Sequence, residues 1–439
     1  MNAVIIAVLL MLALSLARMH VMLSMIVAAF VGGLIGGLDT SATLEAFNKG
    51  IGGGAGIALS YALLGGFAVA ISLSGLPNLL ADKILTKIGK SDEAASEWLG
   101  HGLLFMLMLV AISSQNLIPI HIAFIPILIP PLLLVMTRLQ LDRRLVACVL
   151  TFGLVTPYMF LPVGFGSIYL NDILLGKVAA AGLDVEGISV VKAMAIPALG
   201  MVSGLLIAAF FSYRGKRVYD ISKVEKTEHT EQGYSAKSLW VAAAAIVLAF
   251  ALQLYTGSMV LGAMAGFLLF SATGVIRWNE SDGVLVDGMK MMASIGFIMI
   301  AASGFSEVLK TTGHIDLLVN GASDWLAGNQ ALAAMMLLVV GLLLTMGIGS
   351  SFSTIPIIAA IYVPLCLQMG FSPLAIVALV GTAGALGDAG SPASDSTLGP
   401  TAGLNADGQH NHMRDTVIPT FLHFNLPLLA AGWVAAMVL

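Results

Sequence analysis

The chain has 439 residues, 58% of them hydrophobic and 10% charged, with a formal net charge of −4. Soluble domains carry about 25% charged residues, so this composition excludes a soluble globular protein. The charge is spread over short loops without a basic tract, which excludes a nucleic-acid surface. Apolar runs of roughly 20 residues recur without the alternation of outer-membrane strands, so the fold class expected is an all-α polytopic membrane protein in the lipid bilayer.

Residues 4–17 have the length of a signal-peptide core. No cation precedes them, however, and a second apolar run at 21–38 follows Arg18 and His20, so they read as a retained first helix. Cys148 and Cys366 lie in apolar runs and read as packing residues, as do most of the 23 methionines. At Ser113, Ser114, Gln115 and Asn116 a polar tip opens the proline-rich segment 117–134, which contains His121. Arg138, Arg143 and Arg144 then suggest a cytoplasmic loop by the positive-inside rule. The apolar stretch 145–155 breaks at "TPYMFLPVGFG", where Pro157 and Pro162 interrupt it and Thr156 is a modest site candidate. The segment 171–192, with Asp172, Asp184 and Glu186, suits the outer face.

The long polar segment 212–238 divides the chain into a first transmembrane repeat, 1–211, and a second, 239–439. Arg214, Lys216 and Arg217 put this linker in the cytoplasm. The halves share landmarks in one order: "VGGLIGGL" at Val31 with "LGAMAGFLLF" at Leu261, "GGFAVAISLSG" at Gly65 with "IGFIMIAASG" at Ile295, and "SSQNLIPIHIAFIP" at Ser113 with "SSFSTIPIIAAIYVP" at Ser350. Ordered self-similarity of this kind marks a duplicated architecture.

In the second half, Ser350, Ser351, Ser353 and Thr354 form the matching polar tip before the proline-rich segment 355–367. Short helices there are expected to dip into the membrane and return as hairpins, with Pro119 and Pro356 in a first turn. The run 373–386 would rise about 21 Å, short of the ~30 Å hydrocarbon core. The polar stretch "GDAGSPASDSTLGP" from Gly387 to Pro400 should therefore break a helix inside the membrane. Paired broken segments point to a transporter's midplane site. Carboxylates at that depth are expensive, which makes Asp388 and Asp395 the leading ion-binding candidates, with Ser391, Ser394 and Ser396 as oxygen donors. His121 and His423, in apolar runs, are candidates for proton coupling. His410 and His412, with Asp407 and Asp415 nearby, read as a solvated loop, and Glu307 with Lys310 as an interfacial pair.

The stretch at Gly387 resembles the "GD..SP.SD(T/S)" signature of the NhaC-like Na+/H+ antiporter family, and "HNHMRDTVIP" before a last helix resembles that family's C-terminal end. The chain is most similar to the branch with amino-acid or histidine permeases. The resemblance implies two inverted repeats, each with a re-entrant helical hairpin and a broken transmembrane helix. It further implies a transport domain moving as an elevator against a scaffold, and a homodimer in the cytoplasmic membrane of a bacterium. Its motif falls on Gly387, Asp388, Ser391, Pro392, Ser394 and Asp395. A Na+ site is then expected from Asp388, Ser351 and Asn116, with Na+ or H+ as coupling ion and no other cofactor. Ala389, and the lack of a carboxylate at the first break, depart from a strict antiporter pattern. The function expected is ion-coupled secondary transport, as Na+/H+ exchange or as amino-acid permeation. A remote alternative, an intramembrane aspartyl protease, is suggested by "GALGD" at Gly384 but needs two facing aspartates, and the "YD" at Tyr219 falls in the linker.

Overall fold

The computed structural model describes residues 2–17, 19–76, 79, 96–117, 121–224, 235–256, 258–315, 317, 321, 326, 328–348, 351–392 and 394–439. Among these, every regular element is helical. The first half contains α1 (Ala3–Leu16), α2 (Val21–Ile35), α3 (Thr40–Leu73), α4 (Ser96–Ile112), α5 (His121–Arg138) and α6 (Arg143–Phe160). Next come α7, which starts at Phe165–Ser167, widens into π-helical turns over Ile168–Leu175 and closes with Gly176–Ala180, and then α8 (Val190–Ile207) with a π-helical end at Ala208–Ser212. The second half contains α9 (Ala236–Thr256), α10 (Met259–Ala272), α11 (Ser281–Thr311), α12 (Gln330–Ile348), α13 (Ser351–Gln368), α14 (Pro373–Ala385), α15 (Asp395–Leu404) and α16, the composite helix His412–Val438.

Six stretches are long and apolar enough to cross a bilayer: Thr40–Leu73, Arg143–Phe160, Val190–Ser212, Ala236–Gln253, Pro373–Leu404 and His412–Val438. Burial separates them. The stretches Arg143–Phe160 and Pro373–Leu404 are 89% and 94% buried along their apolar windows, against 17% for Ala236–Gln253. The helices flanking the sequence's two breaks thus form the centre of the bundle, and the others shield them from lipid.

The longest helices, α3 and α11, pack along most of their lengths. Glycines on both faces permit this: a Cβ on Gly65 would lie 2.1 Å from the Gly288 carbonyl oxygen, and one on Gly54 would lie 2.6 Å from that of Met299. Without a hydrophobic force between helices in lipid, such close backbone contact is the main source of association.

Helix ends follow local chemistry. Asp39, Asp142, Ser189, Ser258 and Ser372 cap their helices through side-chain acceptors, and Pro373 occupies the first turn of α14. The second break falls close to its expected place: α14 stops at Ala385, and Gly387 turns the chain with φ +89°.

Three local expectations are corrected. The helix expected to end near Val155 runs through Pro157 to Phe160, where Leu161 N–H donates to the Pro157 carbonyl at 2.8 Å. Likewise α13 holds Pro356 and Pro364 inside an uninterrupted 18-residue helix rather than placing Pro356 in the first turn. A proline removes one intrahelical bond, and packing by neighbouring helices offsets that loss inside a bundle. Finally, Glu307 pairs with Lys49 (2.7 Å), while Lys310 donates to the Ala180 carbonyl (2.8 Å).

Candidate functional site

Two polar helix ends meet two helix breaks. In the second half, Ser351 is the first residue of α13, and its hydroxyl donates to Asp388 Oδ2 at 3.0 Å. Ser394 caps α15 and donates to Asp388 Oδ1. Tyr158, near the end of α6 in the first half, donates to Asp388 Oδ2 and lies 3.0 Å from the Ser351 hydroxyl. Asp388 is 6% exposed, and neutral hydroxyls from three different segments hold its carboxylate. That arrangement retains hard oxygen atoms suited to a small cation or a proton.

The break itself is stitched by short bonds. Gly387 N–H donates to Asn425 Oδ1 (3.1 Å), and the Ser391 hydroxyl donates to the Met346 carbonyl (3.1 Å). Thr397 Oγ1 donates to the carbonyls of Ser391 (2.6 Å) and Ser394 (2.9 Å). Ser396 is buried; its N–H donates to Ser394 Oγ, and its carbonyl accepts from Thr151 of α6 (2.9 Å). A Cβ at Gly387 would meet Met346 N at 2.8 Å, so this glycine provides both the left-handed turn and the close approach.

In the first half, the tip widens into π-helical turns over Ser113–Leu117. Asn116 Oδ1 accepts from Gly166 N–H at 3.1 Å, which joins this tip to the first break. Ser113 and Ser114 donate back to the carbonyls of Leu109 (2.8 Å) and Ala111 (3.1 Å). Gln115 Oε1 and Thr156 Oγ1 are buried and make no hydrogen bond among the described residues. The expected trio therefore divides: Asp388 and Ser351 are bonded together, whereas Asn116 is bonded to Gly166. Thr354 is buried on α13. Ser350 lies outside the described residues, as do the side chains of Ser353 and His121.

Asp395 opens α15 but is exposed, in contrast to Asp388. His423 is buried away from this cluster, its ring between the Pro419 carbonyl (2.7 Å) and Ser212 Oγ (2.8 Å). The loop read as solvated is packed at Asp407, His410 and Asp415, while Asn405, Ala406, Gly408 and Asn411 are exposed and His412 is half-buried. His410 is 2% exposed with Nε2 2.7 Å from Thr416 Oγ1, and Asp407 forms a two-pronged ion pair with Arg143 at 2.7 Å per contact, both side chains fully buried. Burial pushes the Asp407 carboxyl up, but the bonds and charge of Arg143 more than reverse this and hold it below its ordinary value. Arg143, counted among the loop cations, thus belongs to the core.

Tyr158 was not among the sequence candidates. The available signal was a tyrosine between two prolines at a predicted break, because a buried phenol seeks a partner. Its ring stands in an aromatic cluster with Tyr169 (4.8 Å), Phe352 (5.4 Å) and Phe165 (6.2 Å). Tyr61 of α3 joins through Phe165 at 5.7 Å.

A bundle of apolar helices centred on two broken ones, with a buried carboxylate between polar helix ends, defines a multi-pass membrane transporter. Residues 149–433 match the Na+/H+ antiporter family and residues 2–88 a second profile of the Na+-H+ antiporter family, and the chain belongs to this Na+/H+ antiporter family. The chain is 58% identical to an uncharacterised membrane protein of Vibrio parahaemolyticus over 399 residues, 90% of each chain. It is 49% identical over 446 residues, the whole of both chains, to the Bacillus subtilis protein named putative amino acid transporter YuiF. Among solved structures it resembles the YdaH transporter of Alcanivorax borkumensis (TM-score 0.58, 16% identity, 90% of this chain and 88% of that one). It also resembles MtrF of Neisseria gonorrhoeae (TM-score 0.56, 17% identity, 90% and 84%), a member of a class of antimetabolite efflux pumps. At these identities the likeness concerns the fold.

Proposed function

We propose that this protein is a secondary active transporter coupled to Na+ or H+ through Asp388, with Na+/H+ exchange as the first reading. One observation carries it: the buried Asp388 carboxylate lies where the first residue of α13, the break before α15 and the first-half residue Tyr158 converge. A group that gains or loses a cation there changes the bonds among three segments together, which is the coupling alternating access requires.

The order of elements supports two repeats, 1–211 and 239–439, joined by a cytoplasmic linker at 212–238. Among the described residues, three helices, a polar-tipped pair, a broken helix and a closing helix occur as α1–α8 and again as α9–α16. Inverted repeats, re-entrant hairpins at the α4–α5 and α12–α13 pairs, and an elevator movement against an α3–α11 scaffold complete the proposal. So does a homodimer in the cytoplasmic membrane, a setting that the bacterial relatives support. Asp395, Ser391, Ser396, Asn116 and Gln115 are further proposed ion-site oxygens, with His423 and His121 as secondary candidates for proton coupling.

The second reading, ion-coupled amino-acid permeation, is favoured by the name of the full-length Bacillus relative. Both are tested with purified protein in proteoliposomes, with a Na+ gradient, a trapped pH dye and a panel of labelled amino acids that includes histidine. Na+ alone should change internal pH in the first reading; in the second, one amino acid should accumulate and the pH response should require it. Asp388→Asn should abolish either signal at normal expression, and full retained activity would remove Asp388 from the site.

A further inference from the structure

A cavity of about 190 Å³ lies between the α3–α11 pair on one side and α7 and α13 on the other. Three ammonium groups, Lys49, Lys177 and Lys310, line it against a single carboxylate, Glu307. Glu307 is already paired with Lys49 at 2.7 Å. Lys177 Nζ donates to the Gly53 carbonyl (2.9 Å) and to Ser303 Oγ (3.3 Å), and Lys310 Nζ donates to the Ala180 carbonyl (2.8 Å). Two positive charges therefore face the cavity with only neutral acceptors among the described residues. An ammonium carries three N–H donors, so both keep donors for a further acceptor. Ser303 and Ser306, 6% and 9% exposed, add hydroxyls to the wall.

We propose that this cavity binds the carboxylate of a small anionic or zwitterionic solute. The space falls below the roughly 300–1,000 Å³ of drug-sized ligands, which restricts the occupant to a small molecule. Its position gives the site a consequence for transport. Lys177 and Lys310 already tie α7 to α3 and α11 across the seam, and a carboxylate between them strengthens that tie by bridging two like charges. The cavity also borders Pro356, on the helix whose first residue, Ser351, holds Asp388. The anion site is additional to the Asp388 cluster and stands without it. An anionic lipid headgroup offers the same oxygen chemistry, so the test separates the two sources.

The experiment follows the melting temperature of the purified full-length protein in neutral detergent during titration with sodium succinate and sodium acetate. Sodium chloride at matched Na+, brought to the same ionic strength with choline chloride, is the reference. Carboxylates should raise the melting temperature in a saturable way that chloride does not reproduce. In Lys177→Met/Lys310→Met the apparent Kd should rise at least roughly tenfold, the scale expected for losing charge-assisted hydrogen bonds. Lys310→Met alone, on the partly exposed last turn of α11, should show a smaller loss in the same direction and serves if the double variant does not fold. Asp388→Asn should keep the carboxylate response, so a failure of the transport reading leaves this result intact. The proposal is overturned if no carboxylate shifts the wild type, or if the lysine variants bind it unchanged. It is equally overturned if only added phosphatidylglycerol, and neither soluble carboxylate, gives the lysine-dependent shift.

Discussion

At Asp388 both carboxylate oxygens accept hydrogen bonds from hydroxyls, and each donor comes from a segment that must hold its position for the bond to exist. Tyr158 combines two roles, a bond to Asp388 and ring contacts with Tyr169, Phe352 and Phe165, and substitutions separate them. Tyr158→Phe keeps the ring and removes one hydrogen bond to a charged group, worth about 1.5–3 kcal/mol. The half-saturating Na+ or H+ concentration for transport should move by roughly tenfold or more, with a smaller fall in melting temperature than loss of the whole side chain produces. Tyr158→Ala also deletes the ring and should destabilise the fold by about 3–5 kcal/mol. Equal transport by wild type and Tyr158→Phe would show that the phenol only packs. Residue chemistry made Asp388, Ser351 and Ser394 visible in the sequence, because carboxylates and hydroxyls stand out in an apolar chain. Tyr158 did not stand out, since its partner lies 230 residues away and a tyrosine among apolar residues reads as core.

Among the elements, the α3–α11 pair shows how glycine position decides the sign of a substitution. A Cβ at Gly288 would meet Gly66 N at 2.1 Å and the Gly65 carbonyl carbon at 2.2 Å, so the helices must separate to admit it. Gly283, one and a half turns earlier on α11, has nothing within 4 Å. Gly288→Ala should lower the melting temperature, by overpacking worth about 1–3 kcal/mol or more. Gly283→Ala should leave it level or raise it, because alanine is favoured over glycine within a helix by about 1 kcal/mol. The same direction for both in a thermal melt would contradict the packing argument. The second helix break was readable because Gly387, Gly390 and Pro392 follow each other beside charge. The first was placed too early: Pro157 looks like a breaker locally, yet α6 continues past it because a buried helix is supported by its neighbours.

Across the whole molecule, Arg143 at the start of α6 fixes loops from both halves and the linker in one assembly with a buried centre. Its guanidinium binds Asp407 and the Leu404 carbonyl (3.2 Å), its N–H donates to the Tyr219 hydroxyl (2.9 Å), and Arg217 joins the linker to Asp415 at 2.8 Å. His410 lies in this assembly. Burial holds its imidazole well below the ordinary value; Asp415 opposes this, and Arg143 and Arg217 act with burial. The unfolded chain thus binds the proton more readily, so this contribution to stability is intact above about pH 6.5 and is lost as the pH falls below it. The Asp407 carboxyl, held low by Arg143, has the same sign in a more acidic window, its contribution being lost as the pH falls below the ordinary carboxylate range near 4. Wild-type melting temperature should therefore drop between pH 7 and 5, and His410→Gln should flatten that drop. An unchanged slope in the variant would assign the acid sensitivity elsewhere.

Composition and hydropathy alone determined that this chain is a helical membrane protein, because hydrocarbon leaves the backbone few other solutions. The polar interruption at Gly387 likewise announced a broken helix and a costly carboxylate, since both are properties of a short stretch of chain. Tertiary structure alone decided which oxygens meet that carboxylate, that Asp395 is exposed where Asp388 is buried, and that Arg143 and His410 belong to the interior. These depend on contacts between residues far apart in the chain, and neither periodicity nor local composition encodes which distant side chain fills the space beside a given group.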